Sequence, residues 1–595
     1  MLHDVFGYSE FRGPQLDIIE SLLAGRNALV LMPTGGGKSL CYQIPALLRD
    51  GTAVVISPLI ALMRDQVEAL RHNGVSAAFL NSTLSASDRR ETERALAAGE
   101  LDLVYIAPER LLNDYTLDLL DRCELALFAI DEAHCVSQWG HDFRPEYMKL
   151  DVLRERFPGV PRIALTATAD ERTRAEIEHQ LLPDGADDYV SSFDRPNIRY
   201  RVGIKHNAKS QLLRFLRESH QGHSGIVYCM SRKRCESIAD WLTEKGIEAI
   251  PYHAGLDGAT RELHQNRFIR EEGLVVVATV AFGMGIDKPD VRFVVHLDLP
   301  KSMEAYYQET GRAGRDGLPA EAWLIYGLQD VVRLRQLIMD SEADEQHKRQ
   351  ERVRLEALLG YCEEVDCRRK RLLAYFGENY PRDCGNCDNC RTPPDTWDAT
   401  EAARMALSCV HRTGQRFGAA HVIDVLMGSE SERIQRLRHH RLSTYGIGKE
   451  HSKQTWQSVM RQLLARGYLE ADPEGHGGLR LSEVCRPLLR GEERLTVRKD
   501  IVGAAKGPKK RLAAVPEAAS DPAGWEVLRA RRREIAESEG VPPFVIFHDA
   551  TLLAMLEHRP RTLAEMAELP GVGQYKLEKY GNDFLAAVSE LEAPA

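Results

Sequence analysis

Pro33-Thr34-Gly35-Gly36-Gly37-Lys38-Ser39 is the stretch on which the reading of this chain turns. It follows the apolar run 28–32, which reads as a buried strand, and Lys38-Ser39-Leu40 then opens a helical pattern. Glycines let successive backbone N–H groups converge on phosphate oxygens, with a helix N-terminus behind them. Lys38 is placed to reach the outer phosphates, and the Ser39 hydroxyl to ligate Mg²⁺. The strict phosphate-loop pattern wants glycine six residues before the lysine, and Met32 stands there. The shorter loop Thr34-Gly35-x-Gly37-Lys38-Ser39 fits the helicase type instead.

Two further segments complete the site. Asp131-Glu132-Ala133-His134 follows a second buried strand, 125–130. A carboxylate at a strand end faces the crevice at the carboxyl edge of a parallel sheet. Asp131 is the expected Mg²⁺ residue, and Glu132 the group that orients or deprotonates the attacking water. Far downstream lies Gln308-Glu309-Thr310-Gly311-Arg312-Ala313-Gly314-Arg315. Arg312 and Arg315 follow Gly-rich turns after a helix and supply cations for the charge that develops on the phosphate, Arg315 as the arginine finger. A site split this widely closes between two domains, so hydrolysis is coupled to domain movement.

The chain has 595 residues, which suggests roughly four domains. The longest apolar stretch, 274–282, is too short to span a bilayer. The start, Met1-Leu2-His3-Asp4, lacks the regions of a signal peptide, so an intracellular protein without membrane contact is expected. The twelve cysteines are scattered except for one cluster, against a disulfide scaffold. The net charge of −10 is unlike a nucleic-acid binder, but binding needs only a local basic surface. One such surface is predicted from Arg433, Arg436, Arg438, Arg441, Lys449, Lys453, Arg461 and Arg466, with Lys449 and Lys453 as named DNA contacts. Lys506, Lys509, Lys510 and Arg511 begin an Ala/Pro-rich linker.

Strand and helix patterns alternate up to about residue 200: 54–57, 103–107 and 162–166 join the two strands above. They resume with 225–229, 275–279 and 292–297. Both halves read as parallel α/β domains in the doubly wound style. The boundary falls near Phe193-Asp194-Arg195-Pro196-Asn197, and beyond Tyr326 the pattern becomes mainly helical. Trp139 and Phe143, with Arg144, sit in a segment without core periodicity. Two large aromatics beside a cation form a platform for stacking bases, worth about 1–3 kcal/mol per base.

Phe6-Gly7-Tyr8, Phe11-Arg12 and Gln15 resemble the motif before the phosphate loop in RecQ DNA helicases. The run from Asp131 to Pro145, Ala164-Leu165-Thr166-Ala167-Thr168-Ala169, Ala281-Phe282-Gly283-Met284-Gly285-Ile286-Asp287-Lys288-Pro289, and Tyr307 to Arg315 resemble that family too. The likeness covers nearly the whole chain. It implies two RecA-like helicase domains, ATP-driven 3′→5′ movement on single-stranded DNA, and unwinding of duplex and branched DNA in repair, recombination, fork processing and the SOS response. By analogy Tyr8 stacks on adenine, Gln15 bonds its edge, and Arg12 and Gln308 join the nucleotide site. Arg12-Gly13-Pro14-Gln15 departs from the family, which places proline directly after the arginine. Single-stranded-DNA-binding protein and topoisomerase are implied partners, and a cytoplasmic, nucleoid-associated monomer the implied state.

Cys384, Cys387 and Cys390 form C-x-x-C-x-x-C. Four thiolates suit tetrahedral, closed, structural Zn²⁺. Cys367 resembles the family's helix-borne fourth ligand and is the expected one, with Cys362 as its competitor; an iron–sulfur cluster is the other metal reading. Residues 399–489 resemble the family's winged helix, with Ser452 to Arg466 as its recognition-type helix. Gly475-His476-Gly477-Gly478 is its wing; His476 is either a strand-parting residue or a turn residue. From Asp521 the chain resembles the family's terminal helical (HRDC) domain. There Leu569-Pro570-Gly571-Val572-Gly573 with Lys576 and Lys579 is either a phosphate-holding turn or a helix connector. The expected domains are 1–198 and 199–335 (helicase), 336–395 (zinc), 396–495 (winged helix), 496–520 (linker) and 521–595. ATP, Mg²⁺ and Zn²⁺ are the expected cofactors. An RNA helicase, a translocase that leaves strands paired, and a DNA scaffold with a dead ATPase are the alternatives.

Overall fold

The computed structural model describes residues 1–137, 143–167, 169, 171–283, 287–471, 478–499 and 521–591. Seven strands build the first sheet: β1 (Ala28–Leu31), β2 (Thr52–Ile56), β3 (Ala77–Leu80), β4 (Leu103–Ile106), β5 (Leu125–Ile130), β6 (Arg162–Thr166) and β7 (Asp187–Val190). Their order is 3-4-2-5-6-1-7, and every pairing is parallel. Six more build the second: β8 (Ile198–Ile204), β9 (Gly225–Tyr228), β10 (Ala249–Tyr252), β11 (Val275–Ala278), β12 (Phe293–His296) and β13 (Ala320–Tyr326). Their order is 10-11-9-12-13-8, again all parallel.

Both sheets are covered on both faces, which explains the near-continuous apolar runs. In β1, Leu29 and Leu31 enter one core while Ala28 and Val30 enter the other. Because neighbouring strands are parallel, the loops after β1, β5 and β6 leave at the same edge. Backbone bonds hold that edge in register: Met32 N donates to Thr166 O at 3.1 Å, and Asp131 N to Ile56 O at 2.9 Å.

Beyond β13 the chain is mostly helical, with two small antiparallel pairs: β14 (Thr396–Asp398) with β17 (Thr496–Arg498), and β15 (Leu469–Ala471) with β16 (Leu479–Leu481). The second pair is the predicted wing, though its tip, with His476, lies outside the described residues. One continuous core runs from the first sheet through the second to the cysteine module and the winged-helix region. The five terminal helices, from Pro522 to Glu590, have a separate core around Trp525, Leu528, Phe547, Met555, Tyr580 and Phe584.

The basic patch needs correction. The helix Lys453–Ala465 buries Trp456 and nearly all of its C-terminal half, including Arg461. Arg461 Nε donates to Glu363 at 2.6 Å, both side chains being almost fully enclosed, and its guanidinium sits 5.7 Å from the Tyr326 ring centre. It is an internal tie between the winged-helix region and the second sheet, not a DNA contact. The other seven predicted cations are exposed. Among them Lys453 lies 3.5 Å from Asp424. Arg461→Ala is therefore expected to destabilise the protein by about 3–5 kcal/mol, because Glu363 is left as a buried charge without its main partner. A chemical-denaturation midpoint unchanged from wild type would return Arg461 to the surface.

Candidate functional site

The sequence places three loops at one crevice, and the structure assembles them there. A cleft of about 460 Å³ is lined by Tyr8, Arg12, Gln15, Thr34, Gly35, Gly37, Lys38, Ser39, Asp131, Glu132, Gln308, Arg312 and Arg315. The first ten belong to the first sheet and its N-terminal approach; Gln308 comes from the last turn of the helix Met303–Thr310, and Arg312 and Arg315 from the loop after it. Every predicted nucleotide residue thus borders one cavity.

The phosphate loop is set up by backbone geometry. Gly35 and Gly37 have φ of 79° and 84°, a region that disfavours side chains. A Cβ on Gly37 would stand 2.4 Å from the Gln15 amide nitrogen. That amide donates to Gly37 O at 3.0 Å while its oxygen accepts from Arg12 N at 2.8 Å. Gln15 therefore ties the Arg12 turn to the phosphate loop. Lys38 Nζ donates to Met32 O at 2.9 Å, so the residue that breaks the strict motif holds the lysine across the loop. Burial lowers the Lys38 pKa, and Glu132 and Asp131 pull it back up.

Asp131 and Glu132 sit at the end of β5. Glu132 is a non-glycine residue with φ of 50°, a conformation that costs energy and marks functional loops. Its N–H donates to Asp131 Oδ1 at 3.0 Å, and its carboxylate lies 3.3 Å from His134 Nδ1. The same nitrogen is 2.9 Å from Thr166 Oγ1, at the end of β6. Tyr147 Oη donates to Asp131 O at 2.7 Å. Burial, then the neighbouring Glu132, raises the Asp131 pKa. Two carboxylates crowded beside a hydroxyl at Ser39 suit a divalent cation, which relieves their repulsion.

The cations face this group from the second sheet. Arg312 is buried and donates to Gly283 O. Arg315 pairs with Asp287, whose other oxygen accepts from Gln66 Nε2 at 2.9 Å. Gln66 belongs to the first sheet's helix Ile60–Arg71, so this pair also crosses the cleft. Burial and then Asp287 push the nearby Asp65 carboxyl up to about 7. Asp65, Gln66 and Asp287 were not predicted as site residues. Asp65 and Gln66 lie on a helical face of mixed polarity, which carries no sign of which cleft it borders, and Asp287 lies in the segment 281–289, which resembles the family without assigning that residue a role.

The terminal helices also reach the cleft. Phe544, His548, Thr551, Gly571 and Lys576 line it. Gly571 N donates to Gly7 O at 2.7 Å, next to Tyr8. Glu272, beside β11, accepts from Arg529, from Arg532 at 2.8 Å and from Arg533 at 3.1 Å. Lys576 donates to Val545 O at 2.7 Å and Lys579 to Glu539 at 2.8 Å, so both predicted phosphate-holding lysines are engaged within their own domain.

The cysteine cluster is separate. Cys367, Cys384, Cys387 and Cys390 bring their sulfurs within 4.8 Å of one another, and Cys362 is outside the group. Backbone N–H groups of Cys384, Asn386, Cys387 and Cys390 point at these sulfurs at 3.3–3.4 Å, a pattern that stabilises thiolates. One pair of sulfurs is 3.9 Å apart. A tetrahedron with bonds of about 2.3 Å has edges of about 3.8 Å, so a single Zn²⁺ fits.

Of the expected DNA residues, Trp139 lies outside the described residues. Phe143 is exposed, and Arg144 N donates to Cys135 O at 2.9 Å, tying the end of that loop to the turn after Glu132. Lys449 is exposed, with its side chain against Gly428 and Gly446.

Known families match along nearly the whole chain: DEAD/DEAH box helicase (12–177), helicase conserved C-terminal domain (207–317), RecQ zinc-binding (328–391), RQC domain (393–506) and HRDC domain (521–588). The ATP-dependent DNA helicase RecQ of Haemophilus influenzae is 46% identical over 605 residues, covering 100% of this chain and 96% of that one. Its Bacillus subtilis namesake is 40% identical over 590 residues, covering 99% and 98%. With its split cleft and its four-thiolate cluster, this chain belongs to the RecQ family of ATP-dependent DNA helicases.

Proposed function

We propose that this protein hydrolyses ATP to move 3′→5′ along single-stranded DNA and to unwind duplex and branched DNA in repair and recombination. The observation that carries this reading is the cleft whose phosphate loop and carboxylates come from one sheet and whose arginines come from the other. In this reading Thr34, Gly35, Gly37 and Lys38 hold the phosphates. Ser39 and Asp131 would hold Mg²⁺, which neutralises phosphate charge, and Glu132 aims the water. Tyr8, Arg12, Gln15 and Gln308 position the nucleotide, Arg315 stabilises the transition state and Arg312 holds the cleft. The test is ATP turnover with and without single-stranded DNA, with strand separation on 3′-tailed, 5′-tailed and matched RNA duplexes. Unwinding of 3′-tailed DNA alone is expected; equal action on RNA, or turnover without strand opening, would replace the reading with the RNA-helicase or translocase alternative.

Trp139, Phe143 and Arg144 are proposed to stack and hold bases beside Glu132, and Lys449 and Lys453 to contact the duplex, with His476 at the wing. Trp139→Ala is expected to keep ATP binding and lose most DNA stimulation, since stacking is worth about 1–3 kcal/mol per base. Loss of nucleotide binding in step with folding would make Trp139 a core residue. The domain limits given above, contact with single-stranded-DNA-binding protein and topoisomerase, a monomeric state and a cytoplasmic, nucleoid-associated location complete the proposal. No helix among the described residues is long and apolar enough to cross a membrane.

A further inference from the structure

Arg195 lies in the short connection between β7 and β8, where the chain passes from the first sheet to the second. Its side chain is buried, 7% exposed. One terminal nitrogen donates to Thr34 O of the phosphate loop and, at 3.0 Å, to Gly311 O. The other donates to Ala313 O and Gly314 O, each at 2.9 Å. One planar guanidinium thus joins the phosphate loop to three carbonyls of the loop that carries Arg312 and Arg315. The loops nearly touch there: a Cβ on Gly35 would stand 3.4 Å from Arg315 Cα and 3.5 Å from the Arg195 guanidinium.

The neighbouring carboxylate does not take this charge. Asp194 lies 3.2 Å from Arg369 Nε instead. Arg195 is therefore balanced by carbonyl dipoles on both sides of the cleft, and its interactions depend on their separation. Its backbone has a fixed origin. Arg369, on the helix that follows Cys367, donates to Arg195 O at 3.1 Å and Ile198 O at 2.7 Å. Glu378 accepts from Ser192 Oγ at 2.6 Å and Phe193 N at 2.8 Å. Asn197 adds a bond from its amide to Gly314 O at 2.8 Å.

We propose that Arg195 is a positioning residue for ATP hydrolysis: it sets the distance between the phosphate loop and the arginine loop, and so aims Arg315 at the outer phosphate. It does not itself touch the nucleotide. The guanidinium is required as a fork, because an ammonium is a single point with three donors and cannot span carbonyls on two loops in one plane. The inference rests on the reading of the cleft as the ATP site with Arg315 as its finger.

The test compares full-length Arg195→Ala, Arg195→Lys, Arg315→Ala and the Arg195→Ala/Arg315→Ala double variant. Turnover, affinity for a fluorescent non-hydrolysable ATP analogue, zinc content and thermal midpoint are measured for each. Misplacing a catalytic group by about 1 Å costs about 100-fold, so a loss of that order in kcat is expected for Arg195→Ala, with analogue affinity and zinc content at wild type. Arg195→Lys does not restore kcat. In the Arg315→Ala background, Arg195→Ala costs no more than about twofold further, since the finger it aims is gone. A full second loss in the double variant overturns the proposal and leaves the Arg315 assignment standing. A loss of analogue affinity equal to the loss of kcat also overturns it, making Arg195 a shaper of the phosphate loop. Turnover above about a tenth of wild type in Arg315→Ala overturns the finger reading and this proposal with it. If Arg195→Ala fails to fold, Arg195→Gln, a shorter neutral side chain that still fills part of the space and offers two N–H donors, gives the same comparison.

Discussion

Arg315→Ala is expected to lower DNA-stimulated ATP turnover by about 10³–10⁵-fold while nucleotide affinity stays near wild type, with unwinding lost alongside. A cation opposite the outer phosphate matters most as charge spreads over the transferring group, so its removal affects the transition state more than the bound ground state. The geometry strengthens this assignment by removing its simplest alternative. An arginine in this segment could be a surface residue paired with Asp316 or Glu309. Asp316 instead pairs with Arg292, and Glu309 lies 2.6 Å from His296. Arg315 holds Asp287 at the cleft, 15% of its side chain exposed, and Asp287 in turn holds Gln66 of the other sheet. A variant retaining more than about a tenth of wild-type turnover, against that expected loss, would remove Arg315 from the mechanism and leave Arg312 as the finger.

Cys384→Ser is expected to abolish stoichiometric zinc and to leave little soluble protein. Apparent binding free energy at a structural zinc site is about 10–16 kcal/mol, as large as the whole stability of a typical domain. The damage spreads because of what the cluster carries. Asp388, between two of the ligands, pairs with Arg368, whose side chain is fully buried, and accepts from Val202 N in β8 at 2.9 Å. Arg369 and Glu378 grip the connection that leads into β8. Losing the metal therefore frees the edge of the second sheet and the segment that holds Arg195. The measurements are zinc per chain by elemental analysis and a thermal midpoint. Cys367→Ser should behave like Cys384→Ser, whereas Cys362→Ser should retain zinc. Zinc lost from Cys362→Ser and kept in Cys367→Ser would exchange the fourth ligand, and iron in the wild-type protein would replace zinc altogether.

Local sequence carried much of this molecule. Strands buried on both faces announce themselves as apolar runs, so β1, β2, β4, β5, β6, β9, β11 and β12 were legible with ends within two residues. Those that escaped include β7, Asp187–Val190, whose residues alternate between half-buried and exposed, and β13, Ala320–Tyr326, which is buried throughout but carries Glu321 within its apolar run. The phosphate loop, Asp131-Glu132 and the arginine segment were legible because each has chemistry that demands a fixed spacing along the chain. The cysteine cluster was legible for the same reason, with Cys367 and Cys362 left to compete.

By itself, then, the sequence determined the parallel-sheet class, the three loops of the cleft and three of the four sulfur ligands, all features set by neighbours along the chain. Only the tertiary structure decided what depends on groups distant in sequence. It bore out Cys367, expected from the family resemblance, over Cys362, withdrew Arg461 from the basic surface to Glu363, and gave Arg315 its partner Asp287. It also put Arg195, which reads locally as a domain boundary, on four carbonyls of two loops more than a hundred residues apart. The physical reason is that an arginine's spacing in sequence says nothing of which carbonyls or carboxylates folding will bring to it. Burial leaves a guanidinium needing partners, and the packing of two sheets and a metal module selects them.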